Sequence, residues 1–225
     1  IIEKLAHPEK FGGKEEDAFD VIVPSLPGFG FSSSPSRPIG PRKMAEILNK
    51  LMTNNLGYKD YLAHGGDWGA TISNWIAYDY KNNCKGIHIN FLSMRLPDGP
   101  QNKEEEEWHT AFIKGQEMEE GYRTQQATRP QTLSYAMMDS PVGIAAWIIE
   151  KMYSWSDLKN NNIESVYSKD ILLANIMVYI LTKTFNTASW IYYGRREEGG
   201  RIFPKDFKQI KTPTAIAIFP AEMSP

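Results

Sequence analysis

The stretch Tyr58-Lys59-Asp60-Tyr61-Leu62-Ala63-His64-Gly65-Gly66-Asp67-Trp68-Gly69-Ala70 decides how this chain folds. Tyr58–Ala63 has the aromatic and apolar composition of a strand, and a helix-like pattern runs from about Ala70 to Tyr80. Between them, Gly65-Gly66-Asp67-Trp68-Gly69 has the form small–x–nucleophile–x–small. Flanking glycines permit a sharp turn without Cβ clashes, and such a turn lifts its central side chain above the sheet. The N–H of the residue after the centre, Trp68, then points where an oxyanion would form.

Working outward, Phe19–Val23 reads as an earlier strand. It is closed by Pro24-Ser25-Leu26-Pro27-Gly28-Phe29-Gly30, whose prolines and glycines fit neither a helix nor a central strand. Pro41–Asn54 carries the apolar stripe Met44, Ile47, Leu48, Leu51 and Met52 of a helix, with Gly57 at its C-terminal cap. Gly86–Leu92 is a further strand. Strand–helix–strand–helix–strand predicts a parallel sheet with helices on its faces, the α/β class. From Pro97 to about residue 209 the pattern turns helical and rich in Met, Trp and Tyr, most clearly at Val142–Trp155 and Ile171–Phe185. Ile210–Phe219 returns to strand character. The expected organisation is a core over 1–96, an inserted helical cap over 97–209, and a return to the core sheet over 210–225. Asn160–Asn162 is expected to be an exposed loop.

The composition is that of an ordinary globular protein: 225 residues, 41% hydrophobic, 23% charged, net charge −2. With mixed charge and no basic field, it offers no nucleic-acid surface. Glu104–Glu107, the one charge block, reads as a solvated helix start or loop. One cysteine, Cys84, excludes an internal disulfide and a thiolate metal cluster. There is no membrane-length apolar run, no signal-peptide pattern, no Gly-rich dinucleotide loop and no metal-ligand spacing. No cofactor and no metal are expected. The chain opens on Ile1-Ile2 and stops at Ser224-Pro225 after a strand-like run, so both ends are expected to be cut from something longer.

A carboxylate at the centre of the turn sets the chemistry. It needs no base to become a nucleophile and suits displacement at saturated carbon, giving an enzyme ester that water must cleave. Strained epoxides and alkyl halides fit. A serine esterase does not, because the turn carries no serine.

Five stretches together resemble the microsomal-type epoxide hydrolases, which include the juvenile-hormone enzymes. They are Val23–Ser32, His64–Gly69, Thr128-Arg129-Pro130-Gln131-Thr132, Asp139-Ser140-Pro141-Val142-Gly143 and Asn175-Ile176-Met177-Val178-Tyr179. The resemblance extends over essentially the whole chain. It implies an α/β-hydrolase core with a helical cap, epoxide opening to a vicinal diol, and Asp67 as nucleophile. It further implies two cap tyrosines that hydrogen-bond the epoxide oxygen. These fall on Tyr122 and Tyr192, with adjacent Tyr193 as the alternative register. The charge-relay acid falls on Glu222 in Phe219-Pro220-Ala221-Glu222.

Two family parts find no match here: the catalytic histidine expected downstream of Glu222, and a His-Gly-Trp-Pro loop expected upstream of Ile1. His7, His64, His88 and His109 read as ordinary structural or surface residues. The expected partners are a small hydrophobic epoxide and water. A homodimer is allowed, and the location is open: soluble for a microbial enzyme, at the endoplasmic reticulum if an anchor precedes this chain. Two further readings are a haloalkane dehalogenase, with the Trp68 indole on the halide, and a non-catalytic remnant of the fold.

Overall fold

The computed structural model describes residues 1–117 and 119–220. Glu222 lies outside the described residues. The elements follow in order: α1 (Ile2–Ala6), two short 3₁₀ turns, α2 (Pro41–Lys50), β1 (Tyr61–Gly65), α3 (Trp68–Asp79) and β2 (Cys84–Ile89). A run of helices comes next: α4 (Lys103–Gln116), α5 (Gly121–Thr128), α6 (Pro130–Asp139), α7 (Pro141–Ser154), α8 (Lys169–Thr182) and α9 (Phe185–Glu197). β3 (Thr214–Ile216) closes the order.

The sheet runs β1-β2-β3 with both pairings parallel, as the alternation of strands and helices requires. The helices from α4 to α9 thus lie in sequence between two neighbouring strands of one sheet. α3 is the central helix. Trp68, Ala70, Ile72, Trp75, Ile76 and Ala77 are buried along it, so it is apolar around most of its circumference rather than along one stripe. It packs on β1 and β2 from one side and on α2 from the other, where Met44 and Ala45 complete the core. Ile191 from α9 and Phe203 join this same core. Arg42 covers it, its guanidinium 4.5 Å from the Trp75 ring and held by Asp79 through two bonds of 2.7 Å.

A second cluster lies within the helical run, around Ile144, Ile176 and Phe185. The helix starts follow the sequence. Asn102 accepts the Glu105 N–H at 2.9 Å, Ser140 that of Gly143 at 3.0 Å, and Ser168 that of Ile171 at 3.3 Å. Glu104–Glu107 is the exposed first turn of α4. Asn160 and Asn161 both adopt φ of 53° in an exposed turn, a conformation that asparagine tolerates. Gly57, at φ 79°, follows a π turn at Leu51–Asn55 that ends α2. Among the described residues no single helix is long and apolar enough to cross a membrane.

Three expectations are corrected. Phe19–Val23 forms no strand: no other strand lies alongside it among the described residues, and Phe19 and Val23 stay exposed. The late strand is shorter than Ile210–Phe219, because Pro213 has no N–H for a ladder. Its carbonyl still accepts from Ile87 at 2.9 Å. Ile171–Phe185 is not one helix. α8 ends at Lys183, which takes a left-handed φ of 55°, and α9 leaves at 90°. Neither glycine nor proline marks this break. It is stabilised by the Thr182 and Thr184 hydroxyls, 2.8 Å apart.

Candidate active site

Asp67 sits between β1 and α3 with φ 46° and ψ −116°, a conformation that costs a non-glycine residue about 1–3 kcal/mol. The surrounding turn is built to hold it. A Cβ on Gly65 would lie 2.3 Å from the Gly69 carbonyl carbon, and one on Gly66 would lie 2.4 Å from Asn90 Oδ1. Gly65 therefore demands glycine, because backbone blocks it, whereas at Gly66 the Asn90 side chain would have to swing aside. Gly69 carries no such demand, since a Cβ there would meet open space. The Ala70 and Thr71 N–H groups close the first turn onto the Gly66 and Asp67 carbonyls, each at 3.2 Å. The Trp68 N–H, at the first helical position, has no acceptor within the helix.

Asp67 opens onto a cavity of about 370 Å³ between the sheet side and the helical run. Phe29, Trp147, Ile148, Met152 and Phe185 give it an apolar lining, and Trp68, Tyr122, Tyr179 and Tyr192 gather around the carboxylate end. Tyr192, not its neighbour Tyr193, lines the cavity. α9 delivers Tyr192 and α5 delivers Tyr122, and the two helices pack on each other. The tyrosine rings meet edge to face at 5.8 Å, and Tyr192 meets the Trp68 ring in the same way at 4.8 Å. Such contacts fix ring orientation as well as burying area.

The electrostatics follow from this crowding. Burial pushes the Tyr192 hydroxyl well above the ordinary phenol range, and the nearby Tyr122 and Asp67 push it further. Tyr122 is raised by burial and then by the Asp67 charge, and Tyr179 is raised for the same two reasons. All three remain protonated donors at neutral pH, facing a carboxylate.

The structure therefore brings together Asp67, Trp68, Tyr122 and Tyr192. None of the four histidines lines this cavity. His64 and His88 instead face each other on exposed positions of β1 and β2, with their Nδ1 atoms 2.8 Å apart.

Sequence reasoning missed several groups. Tyr179 lines the cavity from α8 and feels the Asp67 charge; it stands in one of the stretches that carry the family resemblance, which was its only signal. Lys151 and Trp155 also line the wall. Glu119 Oε2 accepts from both of them, from Lys151 Nζ at 2.8 Å and Trp155 Nε1 at 2.9 Å. Trp155 in turn packs on the Tyr122 ring at 5.2 Å. Their spacing, 32 and 36 residues from Glu119, leaves no local signature.

A family model described as alpha/beta hydrolase fold matches residues 11–138. Epoxide hydrolase 1 of Sus scrofa is 33% identical over 99% of this chain and 54% of its own length. The crystal structure of juvenile hormone epoxide hydrolase from the silkworm Bombyx mori superposes with a TM-score of 0.69 at 29% identity, covering 88% of this chain and 46% of that one. Aspergillus niger epoxide hydrolase gives 0.70 at 28% identity, over 90% of this chain and 51% of that one. The chain spans about half the length of these proteins.

Proposed function

For this chain, which belongs to the alpha/beta hydrolase fold family, we propose the opening of small hydrophobic epoxides through an ester on Asp67. The observation that carries the reading is the pair Tyr122 and Tyr192, meeting edge to face within the electrostatic reach of Asp67.

In the first step an Asp67 oxygen forms a bond to one epoxide carbon, and the ring C–O bond to that carbon breaks. The ring oxygen leaves with the electron pair and takes hydrogen bonds, then a proton, from the tyrosines. Phenols held above their ordinary pKa suit this role, because they stay protonated until the oxygen becomes basic. The Trp68 N–H receives the carbonyl oxygen of the ester when water adds to it. Water gives its OH to the ester carbon. On collapse the ester C–O bond breaks, and the leaving alkoxide takes one of the water's protons to complete the diol. The other proton returns to the tyrosine, and the carboxylate is restored. Water addition needs a base, and with no histidine in the cavity lining the ester on this chain should persist. The helices of 97–209 act as the cap that closes the apolar cavity over the reacting carbon and keeps bulk water out. A departing halide needs no proton, so the tyrosine pair favours the epoxide over the alkyl halide.

The test is the intact mass of the chain after incubation with excess styrene oxide, with Asp67→Asn as control. One equivalent of adduct on the wild type and none on the control is the expected result. A folded wild-type sample that stays unmodified by styrene oxide and by a panel of aliphatic epoxides would overturn the reading.

A further inference from the structure

The tyrosine pair has a cationic backing. Arg195 follows Tyr192 by three residues on α9 and so shares its face. Its guanidinium centre lies 4.6 Å from the Trp68 ring centroid, and Trp68 carries the edge of Tyr192 at 4.8 Å. Arg195 is partly buried, and among the described residues no carboxylate lies within ion-pair distance of it. Arg123, next to Tyr122, is paired with Glu120. The Arg201 and Arg95 guanidinium centres lie 5.8 and 4.8 Å from the Phe112 ring centroid. Arg201 Nε and Arg95 Nη2 are buried without a hydrogen-bond partner.

Among the described residues, Arg195, Arg95 and Arg201 thus have no ion-pair partner in a region where charge is expensive to bury. Burial and the neighbouring guanidiniums push Arg201 down to about 10. A stability-optimised packing would place apolar or paired residues here. A partly buried cation beside a cavity is a candidate for stabilising a negative charge that appears during function. In the proposed reaction that charge develops on the epoxide oxygen, at the Tyr122 and Tyr192 hydroxyls.

Resting on the epoxide-opening reading, we propose that Arg195 is a positioning residue for the ring-opening step. Stacked on Trp68, it fixes the Trp68–Tyr192 contact and directs its positive charge toward the oxygen that becomes anionic. The field is already present before the reaction, so no reorganisation is needed as the charge appears. Its direction agrees with the effect on Tyr192, whose hydroxyl Arg195 draws downward against burial. Reciprocally, Tyr192, Tyr122 and Asp67 hold the Arg195 charge in place against its own burial.

The experiment measures the rate of Asp67 adduct formation by intact mass over a range of styrene oxide concentrations, in the 225-residue chain. Wild type is compared with Arg195→Met, which keeps bulk over the Trp68 ring but removes the charge, and with Arg195→Lys, which keeps the charge. Removing one preorganised charge should slow alkylation at saturation by about 10- to 100-fold in Arg195→Met, with the half-saturating concentration within about 3-fold of wild type. Arg195→Lys should recover to within about 3-fold of the wild-type rate. A wild-type rate in Arg195→Met, or a lysine variant as slow as the methionine one, overturns the inference while leaving epoxide opening intact. If Arg195→Met lacks the wild-type circular dichroism spectrum, Arg195→Gln replaces it under the same criteria. A wild-type chain that forms no adduct removes the reading and the inference together.

Discussion

The Glu198 carboxylate accepts the backbone N–H of Arg42 at 2.8 Å, so the residue that follows α9 caps the start of α2, 156 positions earlier in the chain. The same carboxylate accepts from Lys43 at 3.1 Å. α2 begins at Gly40-Pro41 and has no side-chain cap of its own. A carboxylate at a helix N-terminus satisfies orphan donors and complements the dipole. Glu198→Ala should cost about 1–2 kcal/mol in urea unfolding. Burial raises the Glu198 carboxyl more than the capping N–H groups lower it, so its folded pKa lies above the unfolded value. The folded state then binds that proton more tightly, and the stability involved falls as pH rises through the folded pKa. The advantage of wild type over Glu198→Gln should shrink between pH 4 and pH 7. A gap that widens with pH would contradict this.

Glu119 should behave in the opposite sense. Its hydrogen bond with Lys151 is the main cause holding it below the ordinary carboxylate range, and the Trp155 bond adds to this. Its contribution is present above the unfolded carboxylate pKa and is lost as pH falls through the folded one. Because Glu119 orders the Trp155 wall against Tyr122, near-ultraviolet circular dichroism of the wild type should change on acidification. Glu119→Gln should show the altered spectrum at pH 7 and little further change. Superimposable spectra of the two proteins at pH 7 would sink the idea.

The turn glycines make a contrast. Gly65→Ala drives a Cβ to 2.3 Å from the Gly69 carbonyl carbon, beside a backbone already strained at Asp67. It should lower stability by about 2 kcal/mol or more. Gly69→Ala meets open space inside the first turn of α3, where alanine gains helix propensity. It should be neutral or stabilising by about 0.5 kcal/mol. Thermal melts of the two variants decide the matter, and equal losses would show that the turn is tight on both sides.

Tyr122→Phe and Tyr192→Phe should each slow adduct formation at Asp67 by about 10²- to 10⁴-fold, the usual worth of a positioned general acid. Both hydroxyls are raised above an ordinary phenol, principally by burial. Any decline of the wild-type alkylation rate at high pH should therefore have its midpoint above about pH 10, where a free phenol is half ionised. A fall in rate centred near pH 9 would assign the acid to another group.

The parallel sheet and the turn at Asp67 were legible because they rest on local rules: glycine at Gly65 and Gly66, β character before them and an apolar helix after. The break at Lys183 was not, because it is a left-handed residue with hydroxyl partners rather than a glycine or proline. Phe19–Val23 has strand composition, but composition does not supply a neighbouring strand. In the site, Asp67 could be read from its turn alone, whereas Tyr122 and Tyr192 were accessible only through family resemblance. Lys151, Trp155 and Arg195 could not be read at all. Their roles depend on distances between helices that no sequence spacing encodes.

The close crossing at Gly194 sets a limit on modularity. A Cβ on Gly194 would lie 2.2 Å from the Ile39 carbonyl carbon, and one on Gly40 would lie 2.3 Å from Glu198 Oε2. Tyr192, Arg195 and Glu198 ride on or just beyond the helix pinned at this point. The helical run of a related protein, transplanted alone, would thus arrive with its counterpart of Tyr192 displaced unless residues 39–43 travelled with it. In engineering terms, the smallest exchangeable unit is the helical run together with the first turn of α2.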